Sequence, residues 1–275
     1  MSPVVFRLLR DVIHDHAGLF FREDMQFLLE RRLAPRLRSL GLDSYAAYHR
    51  LLCYDPQRAE EIEAATEALT TNETYFFREP LQLRSFSDEI LPELASAGRE
   101  ARRLRVWSAG CSSGEEAFTA AILVRSSGLF SGWDVEILGS DIARRVLSVA
   151  RGGCYGAHAF RGVEAEAMLR WFRPAGERWM VDDAVRRMVS FAHINLLDDA
   201  AVDQVESMDC IFCRNVLIYF DVDARRRVLK SLHRRLRPGG YLLLGHSESL
   251  LNVTADFEMA QLKGDLAYRK PKEAR

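Results

Sequence analysis

The chain has 275 residues, 48% hydrophobic and 28% charged, which is enough for one large domain and a smaller one with buried cores. Its 38 basic and 39 acidic side chains leave a formal net charge of -1, so whole-surface charge gives no case for nucleic acid or an anionic membrane as partner. Apolar runs fall short of the roughly 20 residues of a membrane span, and MSPVVFRLLRDVIHDH is charged too early for a signal-peptide core, so no membrane insertion and a cytoplasmic location are expected.

From Met1 to about Leu94 apolar residues recur at three and four, as in MQFLLERRLAPRL and YAAYHRLL, which predicts an all-helical unit. Gly18, Gly41 and Asp55-Pro56 punctuate it, and Pro35 is expected to kink or divide the second helix. Residues 95–101, around Gly98, read as a linker. From 102 to 275 short β-rich runs (LRVWSAG, WDVEILGSD, MDCIFCRNV, GGYLLLGHS) alternate with helical stretches, which implies a doubly wound, mostly parallel α/β sheet. Two regions break the alternation. ERWMVDDAVRRMVSFAHI, about 177–194, reads as an inserted β-hairpin turning near Asp182-Asp183, and FEMAQLKGDLAYRK as a closing antiparallel hairpin turning at Lys263-Gly264-Asp265.

Five scattered cysteines make no disulfide framework. Cys210 and Cys213 form a CxxC, but residues three apart on a strand face opposite ways and no second Cys or His pair lies near, so no metal is expected.

In RVWSAGCSSGEEAF a strand runs into a glycine turn at Gly110 and Gly114, the place where such sheets bring backbone close to a ligand. The turn has neither the dinucleotide fingerprint nor the lysine of a phosphate loop, and acids follow it. A pyrophosphate would be repelled there. Glu115 and Glu116 favour a helix N-terminus in any case, with Ser112 or Ser113 as cap. A ligand with positive charge and no phosphate, such as S-adenosylmethionine, would add a use for the carboxylate: Glu115 is assigned to the ligand and Glu116 to structure. Asp141 ends the next strand, where a carboxylate meets ribose hydroxyls or caps the following helix.

With TNETYFFRE (Thr71 to Glu79), CRNVLIYFD (Cys213 to Asp221), RLAPRLRSLGLDSY, INLL and LRPGGYLLLGHSESL, these pieces resemble, over nearly the whole chain, the CheR-type chemotaxis receptor glutamate methyltransferases. The resemblance implies a class I methyltransferase (Rossmann-like) fold behind a helical N-terminal domain, with a small β-subdomain inserted about 177–194. It implies transfer of a methyl group from S-adenosylmethionine to chemoreceptor glutamates, leaving S-adenosylhomocysteine. By position it assigns Asn72, Thr74, Arg78, Glu115, Asp141, Asn195, Leu196, Asn215 and Val216 to the cofactor, with Asn195 and Leu196 on the adenine side. Tyr219 and Arg78 become the catalytic candidates, Tyr219 beside the transferred methyl and Arg78 gripping the methionyl carboxylate. In some members the inserted subdomain docks a short peptide from the receptor C-terminus. Ala117 and Phe118 depart from the family's usual Pro-Tyr after the two glutamates.

Arg31, Arg32, Arg36 and Arg38 form a basic patch on an otherwise neutral chain. A solvated helix face is the ordinary explanation; the resemblance implies contact with acidic receptor helices. GHSES imitates a hydrolase nucleophile elbow, but no histidine follows His246 to complete a triad. The remaining alternative is an adaptor of the same fold that binds the cofactor without transferring a methyl group.

Overall fold

The computed structural model describes residues 1–163 and 165–272, so the last residues of the expected 102–275 domain lie outside it. The helical part begins with α1 (Pro3–Ala17), α2 (Gln26–Ser39), α3 (Tyr45–Tyr54) and α4 (Arg58–Leu69). α1 shows why the sequence makes a helix here. Ser2 caps it by accepting from Val5 N, Pro3 sits in the first turn, Gly18 ends it in the left-handed region at φ 69°, and Phe6, Leu9, Ile13 and Ala17 fall on one buried face.

Pro35 does not divide α2, which continues to Ser39. The helix loses one backbone hydrogen bond at the proline, but Leu29, Leu33 and Leu37 lie buried on one face across the break and hold it in register. α5 (Pro80–Ser85) runs through a wide turn at Phe86–Ile90 into α6 (Leu91–Ala97). The expected linker therefore begins in the last turn of α6, and the change of direction falls on Gly98, whose carbonyl accepts from Arg102 N just before the first strand.

The α/β part holds β1 (Arg103–Ala109), α7 (Glu115–Ser127), β2 (Asp134–Asp141), α8 (Arg144–Gly152), β3 (Cys154–Tyr155), α9 (Ala165–Trp171), β4 (Phe172–Ala175) and β5 (Arg178–Val181). It continues with α10 (Asp183–Arg186), β6 (Val189–His193), α11 (Asp199–Asp203), β7 (Met208–Cys213), α12 (Val222–Arg235), β8 (Leu236–Leu244), β9 (Glu258–Gln261) and β10 (Leu266–Arg269). The seven-stranded sheet has the order β6-β2-β1-β7-β8-β10-β9. Its β6-β2, β2-β1, β1-β7 and β7-β8 pairs are parallel, and the closing hairpin joins through antiparallel β10. Strand order reverses beside β1, the switch point at which ligands enter such sheets.

The hairpin expected at 177–194 is corrected. Its first run, β5, is the middle strand of a separate three-stranded sheet, β3-β5-β4, while its second run, β6, is the edge strand of the main sheet, parallel to β2. α10 lies between the two runs and turns the chain away, with Asp182 capping it through Ala184 N. Alternation revealed two strands but not that each has its own sheet, because period 2 says nothing about partners.

Alternation along β7 divides two cores. Met208, Ile211 and Cys213 face the layer that α1 to α4 and α12 share with the sheet; Cys210 and Phe212 face α6 and α7. Cys210 and Cys213 thus lie on opposite faces, both fully buried, and burial pushes both thiols well above their ordinary range. The helical part is not a separate bead: His14 Nε2 lies 2.8 Å from Asp221 at the start of α12, and Leu19 bridges to Phe220.

Candidate functional site

A cavity of about 290 Å³ opens at the carboxyl ends of β1, β2, β6 and β7 and is closed on its remaining side by the loop from Thr70 to Arg78. Among the expected site residues, Asn72, Thr74, Arg78, Asp141, Asn195, Leu196, Asn215, Val216 and Tyr219 all line it. These residues, from strand ends and the helical region and up to 147 positions apart in sequence, therefore line one cavity.

The loop is pinned by its aromatic residue. Phe76 is fully buried, stacked 5.2 Å from Phe160 and edge-on to Tyr155 at 5.0 Å and Phe172 at 4.7 Å, so the small sheet anchors it. Phe76 N donates to Ala159 O and Phe77 N to Thr119 Oγ1. Phe77 and Glu79 are held in the left-handed region at φ 58° and 60°, as are Ser112 at 50° and Asn215 at 58° on the facing walls. Each such residue costs on the order of 1–2 kcal/mol; Ser112 and Asn215 line the cavity, and Phe77 and Glu79 flank Arg78, which lines it too.

The glycine turn brings backbone close, as expected, but to protein as well as cavity. At Gly110, φ 84°, a Cβ would lie 2.4 Å from Val216 Cγ2, so the turn after β1 and the turn after β7 are packed against each other. Asp141, 8% exposed, accepts from Ser112 N at 2.8 Å through Oδ2 and from Ala143 N at 2.9 Å through Oδ1. It holds the turn leading into α8, whose N-cap is Ala143 without a side-chain bond, and it forms part of the cavity wall. Burial raises its carboxyl above the usual range, partly offset by those two N–H groups.

Of the two glutamates, the cavity is lined by Glu116 and not by Glu115, the one assigned to the ligand from the sequence. Glu115 is buried, accepts from Ser113 Oγ at 2.8 Å and is not on the cavity wall; Glu116 is. In the first turn of α7 adjacent side chains point about 100° apart, so only one of the pair can face the switch point, and the αL glycine at Gly114 (φ 95°) starts the helix with Glu116 toward it. Glu116 accepts from Ser108 Oγ at 2.7 Å and lies 3.3 Å from Arg214 Nη1. Burial raises its carboxyl, against the pull of Arg214.

Arg214 and Glu79 were not picked out by the sequence reading. Arg214, with its side chain 3% exposed, donates to Arg78 O at 2.6 Å and pairs with Glu79 at 2.9 Å, so a single guanidinium joins β7, α7 and the Thr70 to Arg78 loop. Burial alone would raise Glu79, but the charge of Arg214 holds it below the ordinary range. An arginine ending an apolar strand, directly before Asn215, was the available signal. Arg78 donates to Glu73 O at 2.8 Å and keeps other donors toward the cavity.

Asn195 lines the cavity and its amide is at the same time a turn cap. Its Nδ2 donates to His16 O at 2.6 Å and its Oδ1 accepts from Leu197 N at 3.0 Å, which ties the end of β6 to the end of α1. The amide has a second N–H and a second oxygen lone pair beyond these two bonds. The basic patch also divides. Arg32 donates to Leu69 O and Thr70 O and to Thr71 Oγ1 at 2.9 Å, and Arg36 is bound through two nitrogens to buried Glu61. Only Arg31 and Arg38 are exposed, seven residues apart on one face of α2.

Two family models match the chain: the CheR methyltransferase all-alpha domain over residues 5–70 and the CheR methyltransferase SAM binding domain over residues 72–265. The chain belongs to the CheR methyltransferase family. It is similar to chemotaxis protein methyltransferase 2 of Vibrio cholerae, 35% identical over 97% of this chain and 92% of that protein. Chemotaxis protein methyltransferase 1 of Pseudomonas aeruginosa is 35% identical over 96% of this chain and 97% of its own, and the Vibrio parahaemolyticus protein is 36% identical over 98% of each. The fold is thus that of an S-adenosylmethionine-dependent methyltransferase with a CheR helical part in front. Among the described residues, no helix is long and apolar enough to cross a membrane.

Proposed function

We propose that this cavity binds S-adenosylmethionine and that the chain methylates glutamate side chains of chemoreceptor cytoplasmic helices, in the cytoplasm, releasing S-adenosylhomocysteine. The observation that carries the reading is that Glu116, Asp141 and Arg78 line one cavity at the switch point of the sheet. A zwitterionic amino acid with a ribose fits that donor and acceptor set; a pyrophosphate does not. Asp141 faces the ribose hydroxyls, Glu116 the cationic end and Arg78 the carboxylate. Leu196, Ile142 and the Asn195 backbone form the adenine side.

When bound, the cofactor supplies an electrophilic methyl group on a sulfonium. The substrate glutamate, with a reference pKa of about 4.3, is already ionised at neutral pH, so no protein base is needed. The work of the chain is alignment and exclusion of water: Tyr219 and Val216 shape the methyl side, and the Thr70 to Arg78 loop covers it. The helical part, about 1–94, acts as the receptor-facing unit, with the small sheet as the place for a receptor tail peptide.

Calorimetry with S-adenosylhomocysteine tests the site. Glu116→Gln is expected to weaken binding by about tenfold, the loss of one charged contact, while Glu115→Gln stays within about twofold. Because burial raises Glu116 and Asp141, both begin to take up protons at a higher pH than free carboxylates, and a protonated acid no longer attracts an ammonium. Binding therefore weakens from pH 8 toward pH 5, and Glu116→Gln flattens that slope. A Glu116→Gln variant that binds as tightly as the parent at both pH 8 and pH 5 would remove the assignment.

A further inference from the structure

The turn after β7 carries Asn215, Val216 and Tyr219 past the cavity, yet its backbone amides point away from it. They converge on one side chain. Glu248 accepts four backbone N–H groups: Asn215 N at 2.7 Å and Gly245 N at 2.7 Å on Oε2, Val216 N at 2.9 Å and Ile218 N at 3.2 Å on Oε1. Converging amides of this kind make an anion-binding nest. Here the anion belongs to the chain itself.

Two further observations show how tightly the nest is closed. At Gly245 a Cβ would lie 2.6 Å from Asn215 Nδ2, 2.9 Å from Asn215 N and 2.9 Å from Glu248 Oε2. Asn215 is in the left-handed region at φ 58°, and on its far side Val216 meets Gly110, where a Cβ would lie 2.4 Å away. The turn is therefore set between a glycine and a carboxylate, with Tyr219 O fastened beyond it by Phe20 N at 2.9 Å.

We propose that Glu248 is a positioning residue for methyl transfer: its carboxylate sets the Asn215 to Tyr219 turn, and through it the methyl side of the cavity, without touching cofactor or substrate. This rests on the assignment of Tyr219 to the methyl side. The charge matters as well as the shape, because a glutamine at 248 would turn an NH₂ toward two backbone donors.

The test uses the full chain, S-adenosylmethionine and chemoreceptor-containing membranes, with Glu248→Gln, Glu248→Ala and Tyr219→Ala in parallel. Glu248→Gln is expected to lower kcat by about 10- to 100-fold with receptor KM within about twofold, the mark of lost alignment and not lost binding. In Glu248→Ala, added formate, against chloride at equal ionic strength, is expected to raise kcat by filling the empty nest. Should Glu248→Ala fail to fold, Glu248→Gln alone decides. A kcat for Glu248→Gln within about twofold of the parent, or a loss confined to KM, overturns the proposal. A folded Glu248→Ala that ignores formate does so too. Full activity in Tyr219→Ala would instead overturn the assignment beneath it, whatever Glu248 does.

Discussion

Replacing Arg214 with methionine is expected to cost about 3–5 kcal/mol of stability and lower the melting temperature by about 10 °C, with loss of methyl transfer. The guanidinium is 3% exposed and the carboxylates it pairs with, Glu79 and Glu116, are 12% and 15% exposed. Removing it takes from two acids with little water the guanidinium that both pair with, the arrangement in which one missing partner costs most. The pH dependence separates this from simple loss of packing. In the parent Glu79 is held below its ordinary range, so it contributes stability above the unfolded carboxylate pKa that is lost as pH falls through the folded one. In Arg214→Met burial acts on Glu79 and Glu116 without the charge that opposes it most, and both rise, so the variant gains stability relative to its unfolded state as pH falls. The gap in melting temperature between parent and variant should therefore narrow from pH 8 to pH 5. A constant gap, or one under about 2 °C at pH 8, would contradict the role given to Arg214. Activity should fall with it, since Arg78 O accepts from the same guanidinium and the loop it belongs to closes the cavity.

Charge reversal along α2 is expected to give two unlike outcomes. Arg36→Glu sets a second carboxylate against Glu61, which is 6% exposed and already accepts from Tyr48 Oη at 2.5 Å. The ion pair is reflected in the Arg36 guanidinium, raised by its Glu61 hydrogen bond, and in the Tyr48 hydroxyl, raised by burial and by that same carboxylate. Breaking it costs about 3–5 kcal/mol and loosens the four-helix part. Arg31→Glu with Arg38→Glu changes two exposed groups, so stability stays within about 0.5 kcal/mol while kcat/KM for receptor falls about fivefold at low salt. The loss should fade as salt is added. Thermal melts and salt-dependent methylation rates check both. Normal methylation in the Arg31/Arg38 double variant at low salt would remove α2 as the receptor-facing surface, and a stable Arg36→Glu would contradict the structural reading of that pair.

What the sequence made legible was what periodicity and turn chemistry encode. The helices with clean apolar stripes, such as α1 with its Ser2 cap and Gly18 stop, and the strands β1, β2 and β7, which end at Ala109, Asp141 and Cys213, follow from local rules. Nine of the assigned site residues line the cavity: the resemblance named them, and the convergence of strand ends in a parallel sheet explains why Asp141, Asn195, Leu196, Asn215 and Val216 meet there. What stayed hidden depended on partners in space. That β5 and β6 belong to different sheets is set by what lies beside them. That Glu116, not Glu115, faces the cavity depends on the angle at which α7 leaves Gly114. That the Asn195 amide reaches His16 O, and that Arg36 pairs with Glu61 instead of facing solvent, depends on groups distant in the chain. Pro35 shows the opposite error, a strong local rule overruled by packing of the leucines on either side. Glu248 was passed over inside GHSES because the motif was weighed as a nucleophile elbow, while its carboxylate, not its serine, closes on the neighbouring turn.

The measurement that bears most directly on the whole account is transfer of a labelled methyl group from S-adenosylmethionine to chemoreceptor-containing membranes, by the parent and by Arg78→Ala. The predicted result is alkali-labile label on receptor with the parent, as a methyl ester requires, and at least about 100-fold less with Arg78→Ala because the cofactor is no longer aligned. Equal alkali-labile labelling by Arg78→Ala, or none by the parent, would contradict it.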